Sequence, residues 1–425
     1  MSGRVAAFLE WVGDVFWLRP TLMAIFGVAL ATGVRWLDSP GLSILPAWLV
    51  FAGDAAGARA LLGVVAASAI GVAGTIFSIT IAALSLTSGQ MGPRLLRNFL
   101  RDRGNQVALG LFLMTFCYAI ALQRGMGAEG TPPVPHLGLV LAVGLALVCA
   151  SSLAWVVHHI AGGINVETVI AIVHAELADA AARLTTEQAP VRPLALAMPP
   201  MRGTPLRCAA AGYVRALDYG QLADWAQARG VVLSVLARPG DYLHPGQRLA
   251  EVNAPDQAPD AAAALHEAMS IGPRPAAAQD LEFAVRQLVE VAVRALSPGI
   301  NDPFTAMAVL DRLGAVLAGL VGRHLPAPVL WRDDSVVLYR RVSDYPGLCD
   351  AMFHMIRQAG AENAAVLIRM AEVLEQVIDM EPDAARREVL LRHGRWVLRA
   401  GRARITDAPG RAGLERACAS LAAYG

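Results

Sequence analysis

Six small residues, Gly71, Thr75, Ser78, Ala82, Ser85 and Gly89, recur at alternating spacings of four and three in an otherwise apolar stretch, so on a helix they share one face. Glycines and hydroxyls inside a bilayer serve one of two ends. They let helix backbones approach closely, the hydroxyls bonding across helices or to their own preceding carbonyls, or they line a permeation path in an oligomer, where hydroxyls offer an ion water-like contacts. The stripe runs into Gln90 and then Arg94, Arg97, Arg101 and Arg103, a basic mouth suited to anionic lipid or to a permeant ion. Gly92 and Pro93 lie between, and these residue types predict that the helix breaks here, as a gate or coupling elbow requires.

A second constellation is Asn301, Asp302 and Thr305, beside Pro303. Asp302 suits an N-cap and Pro303 the first helical position, which makes the segment a specified turn. The functional alternative is a hinge or ligand contact at exposed helix-start amides, which also attract anions. His158, His159 and His174 have no Asp, Glu or Cys at ligand spacing and read as interfacial histidines. No metal-ligating set, cofactor motif or catalytic residue is named: the chain has no Gly-x-Ser-x-Gly, no His-Glu-x-x-His, no Walker loop and no dinucleotide fingerprint. It also has no lysine, all 36 basic residues being arginine, which excludes Schiff-base chemistry and lysine-borne prosthetic groups. A net charge of +1 gives no field pointing to nucleic acid. The five cysteines are scattered and read as free thiols in a reducing compartment. An enzyme is therefore not expected.

The elements that must position these residues divide the chain. Apolar stretches near Val15–Trp36, Leu61–Thr87, Val107–Gln123 and Leu137–Ile160 approach or exceed the ~20 residues that cross a bilayer. Arginines crowd between spans two and three, so that loop and both termini are expected in the cytoplasm. Met1–Arg19 has acidic residues and tryptophans and reads as a retained segment, not a signal peptide. The expected organisation is a transmembrane domain over 1–164, an amphipathic helix and Pro-rich linker over 165–206, and a cytoplasmic α+β domain over 207–425. This last part is β-rich over 207–255 and mostly helical over 280–425, with a hairpin near 329–342 turning at Asp333-Asp334. The fold class is thus an α-helical membrane protein with four transmembrane helices followed by a cytoplasmic α+β domain of small β-hairpins and helical hairpins.

Arg238-Pro-Gly-Asp through Val252 reads as turn, strand, turn, strand, with proline and glycine at both turns fixing a hairpin. It resembles the half-motif of biotinyl and lipoyl carriers, of which only the scaffold is possible without lysine. Arg332, Arg340 and Arg341 are expected to form a solvated lattice with Asp333, Asp334 and Asp344. The arginines from Arg386 to Arg404 form a solvated helix face or meet anionic lipid.

Leu-Ser-Leu-Thr-Ser-Gly-Gln-Met-Gly-Pro-Arg over 84–94 and Ser-Pro-Gly-Ile-Asn-Asp-Pro-Phe-Thr-Ala over 297–306 are distinctive. With the order of elements along nearly the whole chain, they resemble a bacterial predicted membrane protein family, the domain of unknown function 2254. The resemblance implies architecture and a membrane setting and carries no site.

Two functions fit these readings. One is a homo-oligomeric channel for inorganic ions, its second span lining the pore and its cytoplasmic domain regulating it. The other is a membrane-anchored sensor or scaffold whose cytoplasmic domain binds a ligand or protein without transport.

Overall fold

Four helices long and apolar enough to cross a bilayer open the chain: α1 (Leu18–Leu37), α2 (Ala55–Met91), α3 (Arg103–Arg124) and α4 (His136–Ile164). The computed structural model describes residues 16–38, 46, 51–91, 102–124, 126, 134–188, 203–273 and 279–424. It forms two compact units, Met1–Thr168 and Val169–Gly425.

The spans lie where hydropathy puts them, but α2 is longer. Its 37 residues extend about 55 Å at 1.5 Å per residue, against a hydrocarbon core of ~30 Å. The candidate span within it is Ala55–Ala82, itself long enough to cross. The helix runs through Ser88 and Gly89 to Met91, because one glycine costs a helix only about 1 kcal/mol and does not end it. The break expected at Gly92 and Pro93 lies outside the described residues, as do Arg94, Arg97 and Arg101.

α3 is the centre of this unit, with 56% of its span window buried against 17% for α4. Gly27 of α1 sits so close to the Met114 carbonyl of α3 that a Cβ there would overlap it. Gly27, Ala31 and Val34 are buried on one side of α1, the small-residue packing that membrane helices use. Buried polar groups add direction. The Tyr118 hydroxyl donates to the Gly138 carbonyl at 2.9 Å, and the Asp38 carboxylate accepts from the amides of Leu137 (3.2 Å) and Gly138 (2.9 Å), occupying donors that the start of α4 would otherwise leave bare. His159 pairs with Asp102 at 2.5 Å and stacks on Trp155.

The second unit begins within α5 (Val166–Leu184). Strands β1 (Thr204–Arg207), β5 (Arg248–Val252), β3 (Leu233–Val235), β8 (Ser335–Arg340) and β7 (Val329–Arg332) form a sheet in that order, antiparallel except for the β3–β8 pair. β4 (Tyr242–Leu243), β2 (Gly212–Leu217) and β6 (Met269–Gly272) form a second, antiparallel sheet. Helices α6 (Tyr219–Arg229) and α7 (Ala258–Ala268) bury Leu222, Ala226, Ala261 and Leu265 in one core with Val214, Leu233, Val252 and Leu338 of the sheets.

The turn-strand-turn-strand reading of 238–252 is corrected in its pairing: β4 and β5 do not pair with each other but join different sheets. β5 is a central strand with four buried residues in five, so both its edges need backbone partners, which β1 and β3 supply over more of its length than the two-residue β4 can. The β7–β8 hairpin turns at Asp333, whose φ of 50° is the left-handed conformation such a turn needs. Its arginines find other partners than expected: Arg332 pairs with Asp224 at 2.7 Å and Arg341 with Asp241 at 3.5 Å.

Six helices complete the unit: α8 (Leu281–Ala295), α9 (Pro303–Gly319), α10 (Tyr345–Ala359), α11 (Ala364–Met380), α12 (Ala384–Arg404) and α13 (Ala408–Leu421). Aspartates cap α8, α9, α10 and α12, and Asn363 caps α11. α11 is the buried centre, placing Val366, Leu367, Met370, Leu374 and Val377 inward at helical spacing.

Candidate functional site

The small-residue face of α2 can be placed by what the opposite face does. Ala58, Leu62, Ala66, Ala69, Ala73, Ile76, Thr80 and Leu84 are buried within the unit. At about 100° per residue, Gly71, Thr75, Ser78, Ala82 and Ser85 lie roughly half a turn away, and all five are exposed. Nothing lies within 4 Å of the Cβ position at Gly71 or at Gly74. The Thr75 hydroxyl donates to the Gly71 carbonyl at 3.1 Å and the Ser78 hydroxyl to the Gly74 carbonyl at 2.9 Å, so each donor is satisfied within the helix while its oxygen stays available to accept. Gly71 to Ala82 fall inside the apolar window; Ser85 and Gly89 continue the face beyond it. Gly89 and Gln90 are helical, and Arg103, at the start of α3, is exposed.

Asn301, Asp302 and Thr305 form a turn that closes on itself. Asn301 has φ 51°. One Asp302 oxygen accepts from the amides of Phe304 (3.1 Å) and Thr305 (3.2 Å), and the other accepts from the Thr305 hydroxyl at 2.6 Å. The helix-start amides that were the anion option are thus occupied by the chain's own carboxylate. Ile300 and Phe304 beside them are exposed.

A cleft in the C-terminal unit assembles a different set. Its cavity of about 160 Å³ is lined by Tyr219 at the start of α6, by Arg238 and Pro239 after β3, by Gln279 to Leu281 leading into α8, by Arg340 at the end of β8 and Arg341 to Ser343 after it, and by Leu184, Leu325 and Pro326. Two of the lining residues, Arg238 and Ser343, are held by Glu282, which accepts from Arg238 on both oxygens (2.6 and 2.8 Å), from Arg286 at 2.7 Å and from the Ser343 hydroxyl at 3.0 Å. Burial alone would raise the Glu282 carboxyl, but these donors outweigh it and hold the group below the usual glutamate range. Asp280 goes the other way: burial raises its carboxyl, and the amide of Phe283 only partly opposes this.

Arg340 has no carboxylate at ion-pair distance among the described residues. Its Nε donates to the Ala327 carbonyl at 2.9 Å and its guanidinium lies 4.7 Å over the Tyr219 ring, while burial lowers its affinity for the proton. The Tyr219 hydroxyl is buried with no hydrogen-bond partner, and burial pushes it up to about 12. A half-buried cation without a carboxylate partner among the described residues and an unused hydroxyl, in a cleft that also carries apolar side chains, can receive an anionic group. The sequence reading missed this cleft because Tyr219, Arg238 and Arg340 come from three separate segments. The Arg-Arg-x-x-Asp run at 340–344 was visible only as a charge lattice.

Comparison with known proteins agrees with the architecture. Residues 14–376 match the family model described as predicted membrane protein (DUF2254). Uncharacterized proteins of Mycobacterium tuberculosis, from strains CDC 1551 and H37Rv, and of Mycobacterium bovis are 30% identical over 97% of this chain and 81% of their own length. No solved structure matches the chain.

Proposed function

We propose that this chain, which belongs to the predicted membrane protein family DUF2254, is a homo-oligomeric pore for inorganic ions in a bacterial inner membrane. In this reading the small face of α2 lines the path, and the C-terminal unit lies in the cytoplasm and regulates it. The supporting observation is the outward turn of Gly71, Thr75, Ser78, Ala82 and Ser85, opposite the face that packs within the protomer. A face of glycines and hydroxyls gives lipid little to pack against, whereas between protomers it offers close approach and acceptor oxygens. Gln90, Arg94, Arg97, Arg101 and Arg103 follow it as the mouth.

The test is single-channel recording of the purified protein in planar bilayers alongside its mass in detergent. Ser78→Leu and Ser85→Leu are expected to abolish conductance and leave the oligomer's mass unchanged. Parental conductance in both variants would reduce the face to packing and overturn the pore.

The cleft favours a second reading, a membrane-anchored sensor that conducts nothing. Arg340 and Tyr219 would bind the charged end of an acidic small molecule and the surrounding Leu184, Leu325 and Pro326 its apolar part. A silent, well-folded oligomer that still binds anions in the cleft would select this reading.

A further inference from the structure

We propose that Asp350, His354 and His393 hold a divalent transition-metal ion, with zinc the best match, between helices α10 and α12. Asp350 and His354 are four residues apart on α10 and so share a face, and His393 reaches them from α12. Asp350 Oδ1 lies 3.1 Å from His393 Nε2 and 3.2 Å from His354 Nε2, and one ligand atom from each of the three falls within 4.8 Å of the others. A tetrahedral ion with bonds of about 2.0–2.2 Å separates its ligand atoms by about 3.3–3.6 Å, so small side-chain rotations suffice to admit it.

The second observation is the state of His393. Its side chain is 1% exposed and neither ring nitrogen has a hydrogen-bond partner. The short approach to Asp350 does not have hydrogen-bond direction, and His354 Nδ1 is likewise buried without a partner. Leaving such buried groups unsatisfied is costly, and an ion at the point where the three ligand atoms converge satisfies His393 Nε2 directly. Two imidazoles and a carboxylate are a borderline set that suits zinc and its first-row neighbours. Asp350 and His354 are part-exposed, which leaves room for water as a fourth ligand. Trp396 lies 5.0 Å from both imidazole rings and Phe353 5.5 Å from that of His393, walling the site with aromatic surface.

Arg392 is the competitor. Its guanidinium donates to Asp350 Oδ1 at 3.2 Å and lies 4.9 Å over the Trp396 ring. With the ion bound, Arg392 is left to the second carboxylate oxygen and to Trp396, and its charge weakens the site. Arg392→Gln is therefore expected to tighten binding, a result that a purely hydrogen-bonded cluster would not give.

The experiment uses full-length, untagged protein in detergent, stripped with a chelator and titrated with zinc against a chromophoric competitor. One equivalent per chain is expected, with visible absorption bands of a low-coordinate ion when cobalt replaces zinc. His354→Gln and Asp350→Asn, both part-exposed and less disruptive than a change at His393, should each weaken binding by roughly tenfold or more while circular dichroism stays unchanged; a tenfold loss is the smaller end of what disturbing even the partners behind a metal's ligands produces. Folded parent protein that takes up no zinc, or variants that bind it as the parent does, would overturn the site. Neither readout depends on conductance, so the proposal stands or falls apart from the pore.

Discussion

Glu282→Gln tests the carboxylate that holds Arg238 of the cleft. The substitution keeps the shape of the side chain, removes its charge and replaces an acceptor oxygen with an NH2. Four donor contacts converge on Glu282: two from Arg238, one from Arg286 and one from Ser343. The Glu282 side chain is 8% exposed and that of Arg238 19%. Gln can accept on one oxygen only, and its new NH2 faces a guanidinium. Arg238 is left with Asp241 at 3.7 Å as its remaining ion pair. Removing one partner of a buried pair in this way costs about 3–5 kcal/mol. For a unit the size of Val169–Gly425, each kcal/mol lowers the melting temperature by about 2–4 °C, so a fall of roughly 10 °C is expected. The assay is thermal unfolding of the full chain in detergent, followed by circular dichroism and tryptophan emission.

The pH dependence gives an independent check. Because the folded-state value of Glu282 is held down, the stability it contributes is present above its unfolded value of 4.5 and is lost as pH falls through the folded one. Asp280 is raised above 3.8, so protonating it in the folded state favours folding as pH falls. The two partly cancel in the parent, and subtracting the Glu282→Gln melt isolates Glu282. The parent-minus-variant difference should therefore shrink below pH ~4.5. A fall of less than about 2 °C at neutral pH, or a difference that holds constant into acid, would refute the assignment of a net stabilising pair.

Two further changes probe the same unit. Gly240 has φ 93°, and a Cβ there would overlap the Asp280 carboxylate; Gly240→Ala should destabilise by at least the ~1–3 kcal/mol of backbone strain, read as a lower melting temperature. Arg340→Met removes the cleft's cation without a carboxylate partner; phosphate should raise the melting temperature of the parent and not of the variant, and equal shifts would count against Arg340 as the anion's partner.

What was legible in the sequence was local. The cap at Asp302 and Pro303 and the turn at Asp333 depend on residues within a few positions of each other, and both occur as expected. The spans were legible because a bilayer imposes length and hydropathy on a single segment. Helices α6 and α7 were missed, although Asp218, whose carboxylate accepts from the amide of Gln221, carried a readable capping signal for the first. Sheet partners were not readable: β5 follows β4 closely yet pairs with β1 and β3, a choice made by burial rather than by distance along the chain. The ion pairs failed for the same reason, Arg332 reaching Asp224 in place of its neighbours in sequence. The i, i+4 spacing of Asp350 and His354 can be read from the chain, but nothing local adds His393 to them.

The face of α2 shows where such reading stops. Periodicity groups Gly71, Thr75, Ser78, Ala82 and Ser85, but the same grouping serves a helix packed within its own protomer and one turned outward. The neighbouring helices decide. The close approach that small residues permit occurs at Gly27 on α1, against the Met114 carbonyl, and α2 packs through Ala58, Leu62, Ala66 and Ala73 instead. Gly71 and Gly74 are then left with open space at their Cβ positions. Had this face packed against α3, exchanging Gly71 for a larger residue would unfold the protomer. Because it does not, Gly71→Leu should leave the protomer folded, and any loss it causes should appear between protomers.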